Sequence, residues 1–532
     1  MDMDYGWLLP AALAAALASW LFNALVRLVW RPHAVTRRLR AQGVRGPAYR
    51  FFSGNLGDIK RFRAAGAGVA LDVADHDFTP IVNPQFRHWI PLYGRVFLYW
   101  FGTTPNICVA DLAVAKQVLA DRMGLFPKNR MNANVLRLLG NGLVLTNGDE
   151  WHRHRKVVHP AFNMDKLKDD GDHGGLCPSM VSGWEAQLTS QGKTKGRRQV
   201  EIEVGGQFEE LTADVISRTA FGSSYKEGKK VFEALKELQF ITVSTFFDAQ
   251  IPGYRYVPTE TNRKVWKLDK EVRSTLMGII KSRLAAKEKT GFGNDLLGLM
   301  LEACEPEHGG RPLLSMDDII DECKTFFFAG QETISHLLTW TMFLLSTHPE
   351  WQDKLREEVL RECGGGGDRD PTHDMLNKLK LVNLFLLETL RLYSPVPLIR
   401  RRTAAPVQLG GVTVPADALL TFPIATMHRD KEVWGEDAGE FNPLRFDGGG
   451  GGGGKTAAKH VSAMLAFSMG PRVCIGQNFA MIEARAAVAA ILQRFSLSLS
   501  PAYVHAPTDV ITLRPKHGLP MIISSIDAKP EM

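Results

Sequence analysis

The chain has 532 residues, 45% of them hydrophobic, and a formal net charge of +7. That is enough apolar material for a deep core, and no separate basic module points to nucleic acid; the charge suits an acidic protein partner or an anionic membrane surface. Cysteines at 108, 177, 304, 323, 363 and 474 show neither a CxxC pair nor a framework spacing, which argues against a disulfide scaffold and suits a reducing compartment.

From Tyr5 to Val26 the chain is rich in alanine and leucine and carries no charge. Its length is close to the roughly 20 residues that span a bilayer. Arg27, Arg31, Arg37, Arg38 and Arg40 follow at once. Positive flanks stay cytosolic, so the body of the protein is expected in the cytosol. A cleaved signal peptide is the competing reading, but its basic residues should precede the apolar run. The expected organisation is a membrane anchor over 1–30, a basic linker over 31–50 and one catalytic domain over 51–532.

Trp151 and Arg155 stand one helical turn apart. His152 and His154 lie at i and i+2, which do not face each other on a helix, so both are expected at the surface. With Arg153, Arg155 and Lys156 they suggest a basic docking face. A glycine-rich stretch at 169–177 interrupts the helical pattern. Apolar residues recur at helical spacing through Ile319–His348, Trp351–Arg361, Met375–Tyr393 and Phe479–Phe495. Strand-like runs are short: Arg95–Trp100, Asn106–Val109, Val407–Val414, Leu419–Pro423 and Met521–Ser524. The fold class is therefore mainly α with a small β region.

In the longest helix Phe326, Ala329, Gly330 and Thr333 fall at i, i+3, i+4 and i+7 and share a face. A glycine there costs about 1 kcal/mol against alanine. It makes sense if something flat approaches the backbone; the alternative is a helix–helix contact built on small residues. Glu332 and Thr333 beside that gap could relay protons. Glu388 and Arg391 are spaced to pair on one helix, among Leu386, Leu387, Leu390 and Leu392. Gly448 to Gly454 with Lys455 and Thr456 formally matches a phosphate-cradling loop, but no apolar strand feeds it. It and Gly364–Gly367 read as mobile surface loops.

The most informative run is Phe467-Ser468-Met469-Gly470-Pro471-Arg472-Val473-Cys474-Ile475-Gly476. The flanking glycines, Gly470 and Gly476, let the backbone pass close beneath a flat macrocycle. Cys474 can supply an iron-bound thiolate, and Arg472 can reach a haem propionate.

The run resembles the haem-binding loop F-x-x-G-x-R-x-C-x-G of the cytochrome P450 superfamily, with Phe467 and Gly476 at its ends. Ala329-Gly330-Gln331-Glu332-Thr333 is similar to the family's A-G-x-[DE]-T, with Ile334 where relatives commonly carry a second hydroxyl. Glu388 and Arg391 resemble its E-x-x-R pair, with Arg445 in Asn442–Phe446 completing a structural charge network. Trp151-x-x-x-Arg155 resembles its propionate-binding W-x-x-x-R, and Arg402 is a further propionate candidate. The resemblance implies a triangular helical prism enclosing haem b behind an N-terminal transmembrane helix. It also implies Cys474 as axial iron ligand, and Ala329 and Gly330 against the cofactor.

His154–Phe162, Asp321–Phe328 and Leu338–Thr341 are similar to the plant microsomal seventy-two clan. Phe208–Ile216 and Lys264–Lys270 are similar to a grass subfamily that hydroxylates fatty acids at in-chain positions. What this implies is a single-pass protein of the endoplasmic reticulum membrane, catalytic domain in the cytosol, acting as a monomer. It would draw electrons from NADPH through NADPH–cytochrome P450 reductase and insert one atom of O2 into a small apolar substrate. Phe326, Phe327, Phe328 and Val396–Ile399 are expected either to line the substrate pocket or to be plain core. Other clan branches modify brassinosteroids, gibberellins or cytokinins, which is the alternative substrate class. A hydroperoxide-rearranging haem-thiolate enzyme would lack the Thr333 motif, and a non-enzymatic haem carrier would have no use for the Glu332–Thr333 pair.

Overall fold

The computed structural model describes residues 8–129, 131–162, 178–191, 199–223, 225–246, 253–305, 312–364, 371–448 and 454–526. The helices that matter below are α1 (Leu8–Leu25), α2 (Arg31–Arg40), α3 (Gly148–Val158), α4 (Val204–Phe221), α5 (Tyr225–Ser244), α6 (Met316–Thr347), α7 (Lys380–Leu392) and α8 (Gln477–Leu492). The strands are β1 (Val96–Phe101), β2 (Thr104–Val109), β3 (Gln199–Glu203), β4 (Leu398–Arg402), β5 (Val407–Leu409), β6 (Val412–Val414), β7 (Leu419–Pro423), β8 (Phe495–Leu499), β9 (Pro507–Val510), β10 (Thr512–Pro515) and β11 (Pro520–Ser525). The chain divides into two compact units. One comprises 1–67, 83–129 and 399–423, the other 68–82, 130–398 and 424–532.

In the first unit, α1 runs through a π-helical turn at Val26–Trp30 directly into α2. The apolar stretch has a mean hydropathy of 1.7 and none of it is buried; it is the one helix among the described residues long and apolar enough to cross a membrane. The basic segment that follows is helical in its first part. Pro32 and Leu39 are buried, and Leu98 N–H donates to the Arg45 carbonyl at 2.8 Å. Strands pair in the order β1-β2-β7-β4. β1 and β2 are buried along almost their whole length, so their sequences read as continuous apolar runs without alternation. The expected strand over Val407–Val414 is the hairpin β5–β6, turned by Gly410 and Gly411 at φ 54° and 81°.

The second unit is organised around α6. A capping box starts it: Ser315 Oγ accepts from Asp318 N–H, and the Asp318 side chain accepts from Ser315 N–H. Nearly every side chain from Ile319 to Leu345 is buried, because α4, α7 and α8 and strands β8 and β10 all lie against this helix. Each fully buried Trp, Phe or Leu here contributes on the order of 2 kcal/mol of hydrophobic stabilisation. The expected helix Met375–Tyr393 divides at Leu379 into His373–Lys378 and α7, and Phe495 leaves α8 to open β8. The second sheet has the order β3-β11-β8. The glycine-rich stretch at 169–177 and most of the two glycine tracts lie outside the described residues.

Candidate functional site

Residues 465–476 form a tight loop ending at the N-terminus of α8. Ser468 N–H donates to Leu465 O at 2.8 Å, Val473 N–H to Gly470 O at 3.0 Å, and Cys474 N–H to Phe467 O at 2.9 Å. Gly470 takes φ 69°, a left-handed conformation that only glycine adopts without strain, and Ser468 takes φ 61° against that preference. These bonds present Cys474 as an exposed residue two positions before the first turn of α8, whose N–H groups favour an anion there. In the direction of a Cβ at Gly476 the nearest atom is Phe162 Cε1, 3.9 Å away.

Cys474 opens into a cavity of about 290 Å³ lined by Arg155, His159, Phe162, Ile475, Gln477 and others. Arg155 Nη1 donates to Val473 O at 3.4 Å. Burial lowers the Arg155 pKa, and the neighbouring Cys474 partly restores it. Arg472 lies with its guanidinium carbon 4.2 Å above the Trp151 ring and donates to Thr146 O at 2.8 Å and Asn147 Oδ1 at 3.2 Å. Trp151, Arg155, Arg472 and Cys474 thus form one cluster, although more than 300 residues separate the two halves. A soft thiolate beside two arginines is the donor set that an iron porphyrin with two carboxylates requires, so these residues fit haem.

Between Glu322 and Leu345 the accessible positions on α6 are Ala329, Gly330, Gln331 and Thr333, a short opening in an otherwise buried stretch. Thr333 Oγ1 donates to Ala329 O at 2.7 Å, and Thr212 Oγ1 of α4 donates to Gln331 O at 3.1 Å. A Cβ at Gly330 would meet Ile216 of α4 at 2.9 Å, which fits the helix–helix alternative. Glu332 faces away from this opening into the interior. Its carboxylate is buried, accepting from Gln239 Nε2 at 3.0 Å and Thr512 Oγ1 at 2.7 Å, with His336 Nε2 at 3.2 Å. Burial pushes its pKa up, but the His336 hydrogen bond and charge, with Thr512 and Gln239, outweigh it and hold the carboxyl at about 2. As a carboxylate it accepts both the Gln239 and the Thr512 bond. Phe327 is core, stacked on Phe221 at 4.2 Å. Phe326 instead stacks on Phe162 at 5.5 Å, so Phe162 bridges the Cys474 cavity and α6.

Glu388 and Arg391 form a fully buried bidentate pair, both bonds at 2.7 Å. Arg391 also donates to the carbonyls of His428, Ala438 and Glu440. Arg445 Nε reaches Glu388 at 3.5 Å and grips Asp437 in a second fork at 2.9 and 2.8 Å. Sequence reasoning missed Asp437, and it missed His428. Leu465 N–H donates to His428 Nε2 at 3.0 Å, so the ring proton sits on Nδ1 and donates to Arg391 O at 3.1 Å. The charge network is thereby tied to the cysteine loop.

One expectation is corrected. His154 is not a surface residue: it is completely buried, with Nδ1 2.6 Å from Glu322 Oε1. Arg402 is taken up by Asp417 at the exposed edge of its strand, at 2.9 Å. Strand alternation turns Arg401 inward instead, where its Nη2 has no hydrogen-bond partner and burial lowers its pKa to about 10.

A thiol at a helix N-terminus, set beside arginines and below an aromatic bridge to a hydroxyl-bearing helix, defines a haem-thiolate class of protein. Residues 81–519 match the family described as Cytochrome P450. The chain is 42% identical to "Cytochrome P450 709B1" of Arabidopsis thaliana over 95% of its length and 96% of that protein's. It is 42% identical to "Cytochrome P450 CYP72A616" of Paris polyphylla (96% and 98% covered) and 41% identical to "Cytochrome P450 734A6" of Oryza sativa subsp. japonica (93% and 92% covered). The chain belongs to the cytochrome P450 family, haem-containing monooxygenases, and these relatives are plant proteins.

Proposed function

We propose that this protein is a membrane-anchored, NADPH- and O2-dependent monooxygenase that hydroxylates fatty acids at in-chain positions. The carrying observation is Cys474, presented at the N-terminus of α8 into a cavity shared with Arg155. When bound, haem supplies the iron at which dioxygen is activated. Cys474 would hold the iron, Arg155 and Arg472 the propionates, with Trp151 supporting Arg472. The Thr333 hydroxyl rests on Ala329 O and can pass a proton when it swings off that carbonyl. Glu332 fixes α6 against α5 and β10 as an anion and is a positioning residue. The exposed apolar α1 would anchor the chain in the endoplasmic reticulum membrane, within reach of NADPH–cytochrome P450 reductase.

The test is to incubate purified protein with reductase and NADPH against medium-chain fatty acids mixed with brassinosteroids, gibberellins and cytokinins. Mass spectrometry then reads which compound gains one oxygen. A hydroxylated fatty acid beside untouched hormones is the expected result; preferential loss of a hormone overturns the substrate while leaving the chemistry. Cys474→Ser should abolish turnover together with the absorption band of the carbon monoxide complex. Thr333→Ala should keep that band and lower the product formed per NADPH oxidised.

A further inference from the structure

Outside the haem site, α3 and the first turns of α6 enclose a second cluster of titratable groups. Glu150, His154 and Asp318 each place one ligand atom within 4.8 Å of the others. Glu150 and His154 are i, i+4 on α3, on one face. Asp318 is the capping-box residue of α6, and its Oδ2 accepts from Ser315 N–H at 2.9 Å, with Arg153 Nη2 at 3.8 Å. Glu150 Oε1 accepts from Asn141 Nδ2 at 3.3 Å.

The decisive group is His154, which is completely buried. Its Nδ1 lies 2.6 Å from Glu322 Oε1, and the carboxylate there can only accept, so Nδ1 carries the proton. If Nε2 carries no proton, it presents a lone pair. It has no hydrogen-bond partner, and it is aimed at Asp318 Oδ1 at 3.9 Å. With Nε2 unprotonated, three acceptors converge with no donor among them, an arrangement that a cation in their midst would satisfy. A buried imidazole held by a carboxylate on its far nitrogen is the usual way a protein orients a metal-ligating histidine.

We propose that Glu150, His154 Nε2 and Asp318 Oδ1 bind a divalent transition-metal ion, of which zinc is the best fit, with Glu322 as the residue that orients the histidine. One nitrogen and two carboxylate oxygens suit zinc, and the imidazole disfavours calcium and magnesium. Zinc ligands at about 2.0–2.2 Å lie about 3.4 Å apart in a tetrahedral site. The half-buried Glu150 side chain closes the remaining gap by rotation, and water takes the fourth position. The ion would staple α3, which carries Trp151 and Arg155, to the start of α6, which carries Thr333.

The experiment uses the full-length haem-loaded protein, free of any affinity tag, stripped with a chelator and equilibrated with buffered micromolar zinc. Elemental mass spectrometry should find one zinc per chain in addition to the iron, and zinc should raise the melting temperature. Glu150→Gln and Asp318→Asn, which keep side-chain volume and capping capacity, should each weaken zinc binding ten-fold or more and abolish the thermal shift. His154→Ala is a poorer variant because it strands Glu322. No zinc beyond trace would overturn the proposal and leave His154 as an imidazolium bridging Glu322 and Asp318. Zinc retained equally by the double variant Glu150→Gln/Asp318→Asn would overturn it as well.

Discussion

Two clusters of buried charge lie in the same unit of this protein, and they are finished differently. Around Glu388, the arginine forks of Arg391 and Arg445 are filled by two carboxylates and by the carbonyls of His428, Trp434, Ala438 and Glu440. Around His154, three carboxylates face one imidazole, and both His154 Nε2 and Glu322 Oε2 lack a hydrogen-bond partner. Donors and acceptors balance in the first cluster and not in the second. A closed network of this kind fixes structure; an open one has capacity for a further partner.

The sharpest way to break this contrast is Glu388→Gln. It leaves two arginine cations buried with one carboxylate, Asp437, between them. The expected loss is about 3–5 kcal/mol in denaturant unfolding, with poor haem retention, because an uncompensated buried charge is costly. A loss below about 1 kcal/mol would show that the network is not the keystone its geometry suggests.

The next effect concerns Glu332, whose folded pKa of about 2 lies below its ordinary 4.5. A depressed carboxyl stabilises fully above pH 4.5, and that contribution is lost as pH falls toward 2. Buried neutral histidines act in the same direction from a higher starting point. His76 and His428 are lowered by burial to about 3 and His505 to about 4, so the unfolded chain gains protons that the folded chain refuses below pH 6.5. Stability measured against pH should therefore fall in two stages. Glu332→Gln should cost on the order of 2 kcal/mol at neutral pH and flatten only the lower stage.

Arg445→Lys should be milder, about 1–3 kcal/mol by thermal melting, because it keeps the charge and loses the fork to Asp437. Its partner carboxylate is half-exposed and can turn to water.

What the sequence displayed of this arrangement follows from range. The cysteine loop, the Thr333 helix and the Glu388–Arg391 pair are local patterns, in which spacing alone places the side chains together. The partners that complete them are distant. Asp437 and His428 close the network from a separate segment, and Phe162 reaches Phe326 of α6 across 164 positions of sequence. His154 looked exposed because nothing near it in sequence predicts Glu322, 168 residues on. Three consecutive arginines, 400–402, carry no signal for which one faces inward; that is decided by the register of β4. Strand β3 and the late strands β8–β10 were missed because each is five residues or fewer and gains its identity from its pairing.

The smallest predicted effect lies in the cysteine loop itself. Ser468 holds φ 61°, and its Oγ is buried without a hydrogen-bond partner. The left-handed conformation costs about 1–2 kcal/mol for a residue with a Cβ, and the unpaired hydroxyl adds to it. Ser468→Gly removes both penalties, and the added freedom of the unfolded glycine returns about 0.5–1 kcal/mol. A net gain near 1 kcal/mol is expected, seen as a melting temperature raised by a few degrees with the carbon monoxide band unchanged. If the haem-loaded variant melted lower than the parent while the haem-free one melted higher, the hydroxyl would have a partner that only the loaded protein supplies. Ser468 would then belong with His154, as a buried polar group whose missing bond is made by a ligand.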